Sequence, residues 1–347
     1  MENLSYGALA ALLGLASGGI LGLSARLGNF CTLGALEMAA YGGDQRRLRL
    51  WGIVLAVAIT GTFLGVSLGQ ITLGETFYHQ LAWNPLASIA GGLIFGYGMA
   101  LAGNCGFGAL VRFGGGDLRS LVVVVVMGVF GFITLSGPLA PLRIALFPQE
   151  AAAGEQGLSA FVEGLIGLPP LVTALAVSAA FLAWALGYGP LRRQPGEMAW
   201  GVVAGAAVGL ALWGTSWLNR ESFGEVGVEG LSFTAPVGRT LMYLMTSTAG
   251  GLNFSVGAVM GVMGGALAGS LWRGMFRWEA CEDPRELGRQ VGGAALMGVG
   301  GVLALGCSVG QGVSAFATLA WSAPVTLAAI AAGALVGLRR LIGVAAE

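Results

Sequence analysis

Long apolar stretches alternate with short polar ones from one end of this chain to the other. Nine approach the ~20 residues that span a bilayer, near 7–24, 51–70, 85–102, 119–136, 168–188, 198–216, 254–272, 290–306 and 323–338. Between them lie four apolar pieces too short to cross, about 29–40, 104–113, 237–250 and 307–319. Such pieces read as re-entrant helices, because broken helix at membrane depth is tolerated where protein buries it or where it lines a cavity. The pattern predicts an all-α polytopic membrane protein of about nine transmembrane helices plus four short re-entrant helices, folded as a single membrane domain over 1–347.

Composition agrees. Of 347 residues, 56% are hydrophobic and 10% charged, with mean hydropathy +0.80. A soluble domain carries roughly 25% charged residues, so this chain lacks the polar surface to face water all round and has no segment to build a second soluble domain. The first apolar stretch lacks a basic leader and an evident cleavage site, and is expected to be a retained span. Nucleic acid is excluded as a partner: no basic run exceeds "RRLR" at 46–49, and no nucleic-acid module is recognisable.

Charge sets orientation. The seventeen basic residues are all arginine. Arg46, Arg47 and Arg49 follow the first span, Arg112 and Arg119 the third, and Arg192 and Arg193 the fifth. Arg273, Arg277, Arg285 and Arg289 follow the seventh, and Arg339 and Arg340 the ninth. Since arginine marks the cytoplasmic side, the N-terminus is expected outside and the C-terminus inside. The opposite connections are acidic: Glu150, Glu155 and Glu163 in one, and Glu221, Glu225 and Glu229 in another.

Three of the four short pieces carry a cysteine in one frame: "LGNFCTLGAL" at 27–36, "LAGNCGFGAL" at 101–110 and "ALGCSVGQGV" at 304–313. Aligned on cysteine, Gly91, Gly96, Gly98, Leu101, Ala102, Cys105 and Gly108 match Gly293, Gly298, Gly300, Leu303, Ala304, Cys307 and Gly310. Gly22 and Gly34 keep the frame around Cys31, and "SFTAPVGRTLM" supplies a fourth copy with Gly238 at the glycine and Ala235 at the cysteine position. Span five separates the two sets, so the halves are expected to be inverted: 1–136, a connecting span in 137–197, then 198–347. Inverted repeats are a transporter architecture whose sites lie near the midplane at broken helices.

The chemistry follows from the frame. Gly28, Gly103 and Gly306 precede the cysteines closely, supplying the turn and close approach. Each thiol is then expected at the N-terminus of its short helix, where free N–H groups and the positive dipole end favour an anion. The S–H is a weak, polarizable donor, suited to a large soft anion. A lone membrane cysteine usually behaves as a small hydrophobe; recurrence in three copies argues for function. The expected substrate path is therefore Cys31, Cys105 and Cys307 with Gly28, Asn29, Gly34, Gly103, Asn104, Gly108, Gly306, Gly310 and Gln311. Asn29, Asn104 and Gln311 either line it or satisfy broken backbone. Arg26, Arg239 and Glu37 are weaker candidates, and span-end arginines commonly snorkel. Cys281, in "RWEACEDPRELGRQ", lies outside the frame, and His79 is the single histidine. No C-x-x-C pair, cofactor motif or Walker A loop occurs.

At these residues the chain resembles the YeeE/YedE sulfur-transport family, through "GNFCTLGALE", "LAGNCGFGALVR" and "LALGCSVGQG", over nearly its whole length. The resemblance implies an hourglass-shaped bacterial inner-membrane protein whose re-entrant helices meet at a constriction. It implies thiosulfate uptake, not catalysis, with the functional cysteines at Cys31, Cys105 and Cys307. For some members it implies a small cytoplasmic sulfur-carrier partner of the TusA type, and some relatives are tied to selenium. Importing a dianion into a negative interior costs about 4.6 kcal/mol per 100 mV, at about 2.3 per charge. The expectation is a thiol-lined conduit drawn by consumption inside, acting through S–H hydrogen bonds, with a covalent persulfide relay as the variant. Two rivals stand beside it. A soft-metal transporter would favour clustered Met and Cys runs, and a membrane sulfurtransferase would need one activated thiolate.

Overall fold

In the computed structural model, residues 5–248, 251–280 and 283–346 are described, and among them there are helices and no strands. The helices in chain order are α1 (Tyr6–Gly28), α2 (Thr32–Ala40), α3 (Arg46–Ser67), α4 (Phe77–Gln80), α5 (Pro85–Ala102), α6 (Gly106–Gly114), α7 (Leu118–Leu135) and α8 (Ala140–Leu146). They continue with α9 (Leu158–Ile166), α10 (Pro170–Leu186), α11 (Gly189–Arg192), α12 (Pro195–Glu221), α13 (Ala235–Thr246), α14 (Phe254–Trp272), α15 (Pro284–Leu303) and α16 (Ser322–Ala346). A short π-helical segment, Gly310–Ala315, precedes α16.

The protein is an all-α polytopic membrane protein. Among the described residues, seven helical stretches are long and apolar enough to cross a bilayer, built on α1, α3, α5, α7, α12, α14 and α16. The other two expected spans are helices too. However, α10 has only 17 residues, and α15 opens with Arg285, Glu286 and Arg289. Helix α3 starts earlier than hydropathy suggested, because Arg46, Arg47 and Arg49 form its first turn. Helices begin on ordinary caps: Asn84 accepts from the Ala87 N–H with Pro85 behind it, and Asn253 accepts from the Val256 N–H. Each offers a side-chain oxygen to an N–H that the helix leaves free.

Helices from before and after α10 pack on one another in matching pairs. Helix α1 lies on α14 as α12 lies on α3, and α5 lies on α16 as α15 lies on α7. Matching helices also cross each other, and they run antiparallel. Gly91 and Gly98 of α5 meet Gly300 and Gly293 of α15, respectively, with a Cβ on any of these glycines 2.5–2.7 Å from the other helix's carbonyl oxygen. In the same way Gly28 meets Trp200 at one end of the α1–α12 contact and Gly214 meets Leu13 at the other. Helix α14 approaches α1 through Gly257, Gly261 and Gly265 against Ala11, Leu15 and Gly19. Small residues spaced by four let backbones touch where lipid offers no hydrophobic drive to helix pairing. Helix α10 stands outside this exchange and packs on α3.

Candidate functional site

The three cysteines sit on one local design. In each copy the residue two places before the cysteine is left-handed: Asn29 (φ 53°), Gly103 (φ 75°) and Leu305 (φ 55°). This residue ends the long helix, and the cysteine starts the next turn. Cys105 is the N-cap of α6, and its sulfur accepts the Gly108 N–H at 3.3 Å. Cys307 does the same with the Gly310 N–H at 3.4 Å. Cys31 is the N-cap of α2 without a side-chain bond.

Two expectations need correction. Gly28 does not make its turn, and Gly306 shares its turn with Leu305. Gly28 is the last residue of α1 and is a packing glycine, since a Cβ there would stand 2.6 Å from Trp200 Cβ. Asn29 makes that turn, as asparagine tolerates the left-handed region better than most residues; it is exposed. Gly306 has φ 158° and packs against Gln311, while Leu305 before it lies in the left-handed region. The fourth short segment is also not an α-helix: after Cys307 the chain continues into the six-residue π-helix. In the fourth copy Ala235 is the first residue of α13, and no side chain caps that helix.

Cys105 occupies the middle of the array. A Cβ on Gly108 would stand 3.5 Å from the Cys105 sulfur and 3.9 Å from the Cys31 sulfur, so the two thiols flank one side of Gly108. Cys105 and Cys307 also lie within electrostatic reach of each other. Cys105 and Cys307 are fully buried and Cys31 is partly exposed; all three are free thiols. Cys307 takes a second N–H, from Phe233 at 3.3 Å, and the Ser232 hydroxyl stands 3.9 Å away. The two buried sulfurs thus accept backbone N–H groups, which leaves each S–H as the group free to donate.

The two ends of the array differ. Beyond Cys307 lies a cavity of about 110 Å³ lined by Tyr78, Glu229, Gly230, Ser232, Arg239 and Gly306. Arg239 is not a free cation there: it donates to Glu229 Oε1 and to Ser255 Oγ, both at 3.2 Å. Beyond Cys31 are arginines. Arg47 Nη1 would lie 3.2 Å from a Cβ on Gly34, and Arg112 is within electrostatic reach of the Cys31 thiol. Arg26 stands next to Gly115 and donates to the Met275 carbonyl; with Arg112, Arg119 and Arg277 it lines a polar pocket of about 200 Å³.

Asn104 and Gln311 are both buried. Gln311 donates to the Ala304 and Leu305 carbonyls at 3.0 and 3.2 Å, satisfying the backbone that α15 leaves open. Glu37 is exposed on α2. Gly103 is exposed with open space around it. Cys281 lies outside the described residues. Arg47 and Arg112 were missed as site residues because they read as orientation charges; Arg112, seven residues after Cys105, is two helical turns further along α6.

Three neighbouring thiols, with arginines at one end and a largely apolar cavity edged by Tyr78, Ser232, Glu229 and Arg239 at the other, suit passage of a soft anion. A family model described as sulphur transport matches residues 27–336. The chain belongs to the sulphur-transport family. It is 28% identical over 328 residues to the thiosulfate transporter TsuA of Spirochaeta thermophila, an alignment covering 90% of this chain and 94% of that protein. It is 27% identical over 320 residues to the thiosulfate transporter TsuA of Escherichia coli, covering 89% and 88%. For a sulphur-transport protein, the array of Cys31, Cys105 and Cys307 is the candidate path.

Proposed function

We propose that this protein carries thiosulfate across the bacterial inner membrane, inward, along Cys307, Cys105 and Cys31 in that order. In this reading 1–136 and 198–347 are two inverted halves joined through 137–197, with the N-terminus outside and the C-terminus in the cytoplasm. The observation that carries it is the middle position of Cys105, whose thiol neighbours both of the others. An anion leaving one S–H donor is then handed to the next. The arginines beyond Cys31 receive the dianion on the side that consumes it, and they form the face on which a small TusA-like sulfur carrier would collect it. Hydrogen bonding suffices for this passage, and no bond to sulfur has to form or break.

Uptake of ³⁵S-thiosulfate into cells lacking other sulfate and thiosulfate importers tests the proposal. Cys31→Ala, Cys105→Ala and Cys307→Ala should each lose uptake at matched expression, while Cys281→Ala keeps it. Uptake indifferent to the first three would return the thiols to packing. Wild-type accumulation of free thiosulfate against the membrane potential, with no coupling ion, would overturn the passive mechanism.

A further inference from the structure

The middle station holds more than a thiol. Thr32, directly after Cys31, and Ser308, directly after Cys307, both bring a hydroxyl near the sulfur of Cys105. The two come from different halves of the chain and converge on one atom. Ser308 is fully buried and Thr32 nearly so, at 0% and 6% exposure. Ser308 Oγ has no hydrogen-bond partner among the described residues. Leaving a buried polar atom unpaired costs about 1–3 kcal/mol, so a buried hydroxyl left free beside this sulfur calls for an acceptor that it can donate to.

Thiosulfate is chemically two-ended. Its terminal sulfur is soft and suits a thiol donor; its sulfonyl oxygens are hard and suit hydroxyl donors. We infer that Thr32 and Ser308 are the specificity-determining residues of the middle station, donating to the oxygens of the anion while Cys105 meets its terminal sulfur. The station then selects anions that carry both a soft sulfur and an oxyanion end, and discriminates against soft anions without oxygen. This rests on the three-thiol path proposed above, and deepens it by assigning what recognises the other end of the substrate.

The test is competition. ³⁵S-thiosulfate uptake is measured with and without excess thiocyanate, a soft-sulfur anion with no oxygen, in wild type, Thr32→Val, Ser308→Ala, the double variant and Cys105→Ala. Wild type should be poorly inhibited by thiocyanate. Each hydroxyl-less variant should raise the KM for thiosulfate about tenfold, the low end of what a lost hydrogen bond to a charged group is worth. The thiocyanate concentration giving half-inhibition should fall relative to that KM by a similar factor. Thr32→Ser and Ser308→Thr, which keep the hydroxyl, should stay near wild type in both measures. Unchanged KM and unchanged competition in Thr32→Val and Ser308→Ala would overturn the inference while a dead Cys105→Ala left the path intact. Variants that lose uptake entirely and are not restored by the hydroxyl-keeping substitutions would overturn it too, since shape and not the hydroxyl would then matter. Full uptake in Cys105→Ala would instead sink the path itself.

Discussion

Around Cys105 the chain turns through left-handed Gly103, enters α6 with the sulfur on the Gly108 N–H, and buries the thiol completely. Around Ala235, the same slot of the fourth copy, the path differs at each step. Phe233 keeps a negative φ, Thr234 is already right-handed, and Pro236 brings no N–H to the start of α13. What the fourth copy supplies is a wall. Phe233 gives its N–H to the Cys307 sulfur, its ring stacks 5.2 Å from Phe107, and the Ser232 hydroxyl stands at the same sulfur. On the proposed path, one slot therefore holds a thiol for an anion to meet, and its counterpart holds a neighbouring thiol in place. Repetition here preserves a position in the fold and not the chemistry done there.

The largest expected effect comes from exchanging the two slots. Cys105→Ala should lower thiosulfate uptake about a hundredfold, the upper range for one hydrogen bond to a charged group. Ala235→Cys should leave uptake within about twofold, as expected for a half-buried position that alters no contact on the path, and should not rescue Cys105→Ala in the double variant. Recovery in that double variant would break the comparison, because a thiol in the fourth slot would then serve as a station.

The glycines three residues after each slot give the next effect, and they fail in opposite ways. A Cβ on Gly108 meets both sulfurs at ordinary contact distance, 3.5 and 3.9 Å. Gly108→Ala should fold normally, even gaining slightly because alanine suits a helix better than glycine by about 0.5–1 kcal/mol. Its uptake should nonetheless fall, because the added methyl fills the gap between two stations. A Cβ on Gly238 would stand 2.7 Å from Phe132 Cε2 and 3.0 Å from the Gly128 carbonyl oxygen. Gly238→Ala should therefore destabilise the protein by about 1–3 kcal/mol, the usual cost of overpacking, while the molecules that fold keep the wild-type KM. Detergent melting curves beside uptake kinetics separate the two. A Gly108→Ala protein that melts early and transports normally would reverse the assignment.

Much of this was legible in the sequence for a physical reason: apolar length and a recurring glycine–cysteine frame both report on backbone placement. Helix α14 falls on 254–272 as hydropathy alone indicates. What stayed hidden depends on conformation or on tertiary convergence. Leu305 in the left-handed region has no sequence signal, since a branched side chain is rare there. Gly28 and Gly306 are the conspicuous glycines before Cys31 and Cys307, yet Asn29 makes the first turn and Leu305 shares the second with Gly306. The first turn of α3 was read as loop because its arginines are charged, although long arginine stems let a helix run past the apolar layer. Thr32 and Ser308 meet at Cys105 only once both halves are folded together. Their one available signal was a small hydroxyl directly after the cysteine in two of the three copies.

The smallest effect concerns how two of these segments leave the site. Behind Cys105, α6 ends at Gly114, packed on the backbone of α14, and Gly116 lies against the Arg277 carbonyl. Behind Cys307 the chain returns past Thr318, whose carbonyl accepts the Nε2–H of His79 at 3.3 Å. That tautomer follows because Nδ1 of the same ring accepts the Gln156 N–H at 3.1 Å. His79 is 2% exposed, and burial holds its pKa below the ordinary imidazole value, with the Thr318 carbonyl opposing part of that shift. A lowered folded pKa means the neutral ring is favoured on folding. Its contribution is present above the free value of about 6.5 and is lost as pH falls from there toward the lowered folded value. The wild-type melting temperature should thus decline slightly between pH 7.5 and 5.5. His79→Phe should melt lower at pH 7.5, having lost two buried hydrogen bonds worth about 1 kcal/mol each, and should lose the slope. Since the chain has one histidine and free carboxylates stay ionised above pH 5.5, a slope that survives in His79→Phe would mean the return of the Cys307 segment is held as pH-independently as the end of α6.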